Sequence, residues 1–252
     1  MTEILPGSPC WVQLSTTDPA AARQFYGQLF GWTAADPDPK YGGYTTFSLD
    51  GAAAAAVAPL MNPQQPVQWQ LSFATTDADA TAEAAKSAGA QLWMGPMEVG
   101  ELGRWALLSD PTGAPFGLWQ TGQFGGFGVV NEPNAFGWID LSTRNLAAAL
   151  EFYKTVFGWQ VWPHDVYQMV GLADTMFGGM MAMGEMFPPE VPSHWNPFFV
   201  AADVDATANT AARLGADILH GPVDVEMDNG PRIAVIRDPQ GATFGIFAPR
   251  QS

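Results

Sequence analysis

The feature that most constrains this chain is that it repeats itself. Pro9 to Trp32 (PCWVQLSTTDPAAARQFYGQLFGW) matches Phe136 to Trp159 (FGWIDLSTRNLAAALEFYKTVFGW). Trp11 falls on Trp138, Leu14 on Leu141, Phe25-Tyr26 on Phe152-Tyr153 and Phe30-Gly31-Trp32 on Phe157-Gly158-Trp159. Farther on, WQLSFATTDADATAEAAKSAGA aligns with WNPFFVAADVDATANTAARLGA, and GRWALLSDPTGAPFGLW with GPRIAVIRDPQGATFGIF. The spacing drifts only slightly, as loop differences on a common frame would make it. The expected organisation is a first module over 1–121, a Gly-rich linker over 122–135 and a second module over 136–252.

Within one module WVQLST alternates as a strand does. Asp18 is placed to cap a helix with Pro19 at its first position, Ala22, Phe25, Tyr26 and Leu29 have helical spacing, and Gly31 ends it. GYTTFSLDG reads as a strand closing on an Asp-Gly turn, followed by a small-residue strand, AAAAAVAPL. QWQLSFAT is a further strand, Asp77-Ala78-Asp79 opens a helix ending at Gly89, and RWALLSD and PFGLWQ are strands flanking the turn Asp110 to Gly113. The second module repeats this with Asn145 in place of Asp18 and Asp203-Val204-Asp205 at its second helix. The Met-rich stretch Met176 to Met186 replaces the polyalanine strand; it suits core filling or an adaptable apolar wall. The Pro-rich stretches Asn62 to Pro66 and Phe187 to His194 suit surface loops.

The charge narrows the partners. With 25 acidic against 10 basic residues the net charge is −15, which repels nucleic acid and anionic membranes. No apolar run approaches the ~18 residues of a membrane span. The N-terminus shows no signal-peptide pattern. The single cysteine, Cys10, cannot form an intrachain disulfide, and cysteine poverty fits a cytoplasmic protein. There is no phosphate loop, dinucleotide fingerprint or Gly-x-Ser-x-Gly motif.

The order strand, Asp-x-x-x-Ala-x-x-Phe-Tyr-x-x-x-Phe-Gly-Trp, Asp-x-Asp before a helix ending in Gly-Ala, then Asp-Pro-x-Gly before a last strand, occurs twice. It resembles the vicinal-oxygen-chelate superfamily of glyoxalases, bleomycin-resistance proteins and extradiol dioxygenases, and in detail the fused two-module actinobacterial members of glyoxalase-like or hydroxylase-like kind. The resemblance covers nearly the whole chain. It implies an α+β fold of tandem βαβββ modules whose curved mixed sheets form cup-shaped pockets. It also implies a divalent metal held by His, Glu or Gln, acting as a Lewis acid on neighbouring substrate oxygens. The family's ligand positions fall on Trp11, Gln70 and Gly117 in the first module and on Trp138, Asn196 and Gly245 in the second. Indole and glycine offer no ligand atom and the amides are weak ligands, so no cofactor or metal is expected.

Strand alternation puts Gln13 on the side of Trp11, Asp140 on the side of Trp138, and Trp119, Phe198 and Phe247 beside the glycines. These residues make up the expected ligand pocket. The glycines leave room either for a ligand or for opposing rings. Asp140 faces a neutral counterpart, Gln13, and is a candidate acid or base. Its structural alternative is a pairing with Arg104 or Arg232. Tyr44 and Tyr167, at matched positions, are candidate hydrogen-bond donors to a substrate oxygen. Their alternative role is packing. His164, His194 and His220 fall in expected loops, off the family's ligand positions.

Three functions follow. One is a metal-free binder that sequesters an apolar or aromatic small molecule. Another is a metal-independent isomerase, lyase or cyclase of natural-product metabolism using Asp140 and a tyrosine. The third is a glyoxalase- or dioxygenase-like metalloenzyme with unusual ligands such as His164 or His194 with Glu185. A purely structural role would show as a cup filled by its own tryptophans. A fused chain is expected to be a monomer.

Overall fold

The computed structural model describes residues 4–185, 187–227 and 230–248; Met186, at the end of the Met-rich stretch, lies outside them. The first repeat runs β1 (Pro9–Thr16), α1 (Pro19–Phe30), β2 (Thr33–Ala34), β3 (Thr45–Leu49), β4 (Ala52–Pro59), β5 (Gln68–Thr75), α2 (Ala78–Ser87), β6 (Gln91–Glu98), β7 (Gly103–Ser109) and β8 (Pro115–Thr121). The second runs β9 (Phe136–Thr143), α3 (Leu146–Phe157), β10 (Gln160–His164), β11 (Tyr167–Leu172), β12 (Thr175–Ala182), β13 (His194–Val200), α4 (Val204–Arg213), β14 (Asp217–Asp224), β15 (Arg232–Arg237) and β16 (Thr243–Ala248).

The expected α+β fold of tandem βαβββ modules is what the structure has, with each repeat holding two such units rather than one. The unexpected strands are β2, β6, β10 and β14. In β6 the register shifts twice, between Leu92 and Met94 and again between Met94 and Met97, and this erases the two-residue alternation. Both sheets are mixed and eight-stranded, ordered β2-β3-β4-β1-β5-β8-β7-β6 and β10-β11-β12-β9-β13-β16-β15-β14. Among the described residues no helix is long and apolar enough to cross a membrane.

The helices begin and end for local reasons. Asp18 accepts from the Ala21 amide at 2.9 Å and Asn145 from that of Ala148 at 3.1 Å; Gly31 and Gly158 close the helices at φ 71°. In the Asp-x-Asp pairs the two carboxylates divide the work. Asp77 and Asp203 cap α2 and α4, while Asp79 and Asp205 each take both ends of an arginine fork, Arg104 and Arg232.

Compactness does not follow the repeats. One unit gathers 1–11, 70–126 and 139–196, and the other 12–69, 127–138 and 197–252. Each unit joins half of one repeat to half of the other. In the first unit Tyr153 stacks on Trp159 with centroids 4.7 Å apart. Trp195 donates to the Tyr153 hydroxyl at 2.8 Å, and that hydroxyl donates to Asp110 at 3.1 Å. The other Asp110 oxygen accepts from the Thr112 amide and hydroxyl and from the Ala114 amide. The second unit repeats the chain: Trp69 donates to Tyr26 at 3.0 Å and Tyr26 to Asp238 at 2.9 Å. The Phe-Gly-Trp tryptophans add a bond each, Trp159 to the Gly7 carbonyl and Trp32 to that of Asn134, both at 2.8 Å.

Burial above all raises the pKa values of Asp110 and Asp238, against the lowering effect of their hydrogen bonds. It also lifts Tyr26 and Tyr153, helped by the charge of the aspartate each faces. A raised carboxyl pKa means the folded chain holds the proton more tightly than the unfolded one. That contribution favours folding below the unfolded value of about 3.9 and is lost as pH rises through the folded value. Stability relative to an Asp110→Asn/Asp238→Asn variant should therefore fall between pH 3 and pH 7. Urea titrations across that range check it; a gap moving the opposite way would contradict the burial account.

Candidate functional site

Strand register sorts the first half of the second repeat into two faces. Asp140 on β9 pairs with Gly179 on β12, Gly179 with Met169 on β11, and Met169 with Trp162 on β10. One step along, Ser142 pairs with Met181, Met181 with Tyr167, and Tyr167 with His164. Directly paired residues share a face. On the opposite face Ile139, Leu141, Val170 and Met180 are fully buried on the side of α3, while Val161 and Gln168 are half-buried and Pro163 is exposed at the sheet's edge. The Asp140 face is more open: Asp140, Trp162, Tyr167, Met169 and Met181 are half-buried and His164 is exposed.

On this face the structure brings together two residues singled out from sequence. The Tyr167 hydroxyl donates to the Asp140 carboxylate. Its ring crosses Gly179 so closely that a β-carbon there would lie within the ring. The Met-rich strand thus contributes a gap as well as thioethers. In the first repeat Gln13 pairs with Ala56, so an amide stands where Asp140 does and a methyl where Gly179 leaves space. Tyr44 stands at the entry to β3, bridged to Asp38. The expected alternative partners of Asp140 are corrected: Arg104 holds Asp79 and Glu98, and Arg232 holds Asp205 and Asp224. A carboxylate with a phenol already aligned on it can anchor a ligand hydroxyl or carbonyl, or pass a proton.

The remaining expected pocket residues are mostly packed. Trp11 is buried edge-on to Phe124, with centroids 4.8 Å apart, and Trp119 donates to the Phe124 carbonyl at 2.9 Å. The glycines serve neighbouring side chains. A β-carbon at Gly117 would strike the Ser72 hydroxyl and stand 3.0 Å from Trp105 Nε1; one at Gly245 would enter the Phe198 ring. Phe247 lies against Gly137, and Trp138 is half-buried on β9. Gln70 and Asn196 are buried, and Gln70 Nε2 and Asn196 Oδ1 lack hydrogen-bond partners.

These residues do not fit a divalent metal. The first-strand positions carry indoles, and the last-strand positions have no space for a ligand side chain. Among the described residues no three of His, Cys, Asp and Glu group to hold an ion. The histidines are not in loops, as expected, but in strands: His164 ends β10, His194 opens β13 and His220 lies in β14. Pro163 in β10 and the bulges of β14 obscured those strands. Cys10 is no nucleophile: burial pushes its thiol far up, and it donates to the Ser72 carbonyl at 3.3 Å. Sequence reasoning missed Ser72, Trp105 and Gly179. The Gly178-Gly179 pair, standing where the first repeat has alanines, was the available signal.

A family model described as Glyoxalase-like domain matches residues 11–119 and again 138–247. "Putative glyoxylase CFP32" of Mycobacterium tuberculosis is 38% identical, over 98% of this chain and 97% of that protein. Anthracycline biosynthesis protein DnrV of Streptomyces peucetius is 37% identical, over 100% and 96%. Among solved structures, the Mn(II)-bound glyoxalase from Novosphingobium aromaticivorans superposes with a TM-score of 0.69 at 16% identity, covering 96% of this chain and 82% of that one. The 2,3-dioxygenase LapB from Pseudomonas sp. KL28 gives 0.71 at 14%, covering 100% and 94%. At such identities the structures speak for the fold alone.

Proposed function

This chain belongs to the glyoxalase-like domain family, and we propose that it binds an apolar or aromatic small molecule on the Asp140 face of its second repeat without the family's metal. The observation that carries this reading is the Tyr167 to Asp140 hydrogen bond on the more open face of that half-sheet. Met169, Met181 and Trp162 supply adaptable apolar contact around it. The Asp140 carboxylate gives a ligand hydroxyl an acceptor, and the Tyr167 hydroxyl gives a ligand oxygen a donor once its single proton turns from Asp140 to the ligand. The relative named for anthracycline biosynthesis supports a flat polycyclic ligand bearing hydroxyl and carbonyl groups. The misfit of the family's ligand positions supports a site without metal.

Calorimetric titration of the full chain with 1,8-dihydroxyanthraquinone tests the reading. Asp140→Asn and Tyr167→Phe should each weaken binding about tenfold, the loss of one charge-assisted hydrogen bond. Unchanged affinity in both variants would overturn the site, and stoichiometric metal in the purified protein would overturn the metal-free part.

The same pair favours a second reading, a metal-independent enzyme: the phenol of Tyr167 turns its one proton from Asp140 to the substrate carbonyl, and the freed Asp140 carboxylate takes a proton from the neighbouring carbon as the oxyanion develops. Incubating the protein with 1-tetralone in D2O discriminates. Catalysed exchange at the α-carbon that disappears in Asp140→Asn marks the enzyme; exchange no faster than buffer leaves a binder.

A further inference from the structure

We infer that Met169 and Met181 form an oxidation site that switches the Asp140–Tyr167 pair, an inference that rests on the reading of that pair as a ligand site. Strand register sets the two thioethers on either side of the phenol. Met181 pairs with Tyr167, and Met169 pairs with Gly179, the residue that the Tyr167 ring crosses on its way to Asp140. Directly paired residues hold their β-carbons about 5 Å apart, within reach of a long side chain. Both methionines are half-buried on the more open face, whereas Met180 is fully buried on the other. The first repeat has Thr46 and Ala58 at the two positions, just as it has Gln13 for Asp140 and Ala56 for Gly179. At these positions the thioethers accompany the carboxylate and are missing where it is missing.

The reagent is a hydroperoxide. The thioether sulfur attacks its outer oxygen: an S–O bond forms as the O–O bond breaks. Sulfur loses two electrons, and the peroxide proton moves to the departing oxygen, which leaves as water or an alcohol. The chain's single cysteine does not compete, since burial pushes its thiol far up. Oxidation turns a flexible apolar side chain into a polar one. A sulfoxide oxygen at Met181 is an acceptor beside a phenol that has one proton to give. Tyr167 then gains a partner that competes with Asp140 and with a ligand oxygen, and the apolar wall is lost. Methionine sulfoxide reductases reverse the change.

Treating the full chain with hydrogen peroxide tests this, with sulfoxides mapped by peptide mass spectrometry and 1,8-dihydroxyanthraquinone titrated before and after. Affinity should fall about tenfold as Met169 and Met181 oxidise, the worth of one hydrogen bond, and methionine sulfoxide reductase should restore it. Met180, buried in the core, should stay reduced, which marks an intact fold. The exposed Met61, Met97 and Met176 will oxidise as well. Met61→Leu/Met97→Leu/Met176→Leu should leave the drop intact. Met169→Leu/Met181→Leu should bring the ratio of treated to untreated affinity near one, whatever its starting affinity. The inference fails if both methionines stay reduced once Met61 and Met97 are fully oxidised, if affinity holds with both sulfoxides formed, or if the drop survives Met169→Leu/Met181→Leu. An untreated chain that binds no dihydroxyanthraquinone sinks the proposed site itself, and the mass map, read without ligand, still decides the modification.

Discussion

Replacing Asp238 with alanine should destabilise the fold by about 3–5 kcal/mol, since each buried donor left unsatisfied costs about 1–3 kcal/mol. Asp238 is 3% exposed. One oxygen accepts from the backbone amides of Gln240, Gly241 and Ala242 at 2.9, 2.8 and 2.9 Å. The other receives the Tyr26 hydroxyl. Alanine strands the Gln240 and Ala242 amides and the Tyr26 hydroxyl, while the Gly241 amide keeps the backbone carbonyl of residue 238 at 3.0 Å; Tyr26 is itself held by Trp69. For a chain of this size each kcal/mol moves the melting temperature by roughly 2–4 °C, so a fall on the order of 10 °C is expected. Asp238→Asn keeps the oxygen facing the turn and should cost less than half as much, since burial disfavours the charge there and pushes the carboxyl pKa up. Denaturant and thermal unfolding of the two variants check this. A loss under about 1 kcal/mol for alanine would mean the turn is held by its backbone alone. Asp110→Ala should behave alike, with Thr112, Ala114 and Tyr153 as the stranded donors.

That hub marks the limit of what the sequence made legible. The repeat, the four helices and their caps, the Asp-Gly turn and the family could all be read, because each leaves a local pattern. Asp50 and Gly51 do adopt the positive φ angles that an Asp-Gly hairpin turn needs. Asp-Pro-x-Gly and Phe-Tyr were both visible as motifs, but nothing local says that the aspartate of one repeat receives the tyrosine of the other. That pairing depends on each compact unit drawing on both repeats. At the site, Asp140 stood out because its counterpart is neutral, and Tyr167 because it has a matched tyrosine. Their meeting was not legible, since it depends on register across β9, β12 and β11 and on the space at Gly179. The glycines were ambiguous for the same reason. It is the packing across strands that puts Ser72, Trp105 and Phe198 into the space they leave.

Gly179→Ala should abolish the Asp140 site while leaving the fold standing. The added methyl would lie within the Tyr167 ring. The backbone of β12 cannot yield, because it is hydrogen-bonded to β11 on one side and β9 on the other. The ring must move instead, by rotation about its own side-chain bonds, since β11 too is paired on both sides, Tyr167 with His164 and with Met181. Moving it breaks the bond to Asp140 and lays the phenol over the surface a ligand would use. Overpacking of this kind costs typically 1–3 kcal/mol of stability. Affinity for 1,8-dihydroxyanthraquinone should fall further, about tenfold to a hundredfold, because donor and surface are lost together. Two residues acting through one geometry should also be non-additive: Gly179→Ala combined with Tyr167→Phe should bind little worse than Gly179→Ala alone. Full affinity in Gly179→Ala would show that Tyr167 does not act from the position it holds over that glycine. The reciprocal change, Ala56→Gly in the first repeat, should create no site, because Gln13 offers no carboxylate to the space it opens.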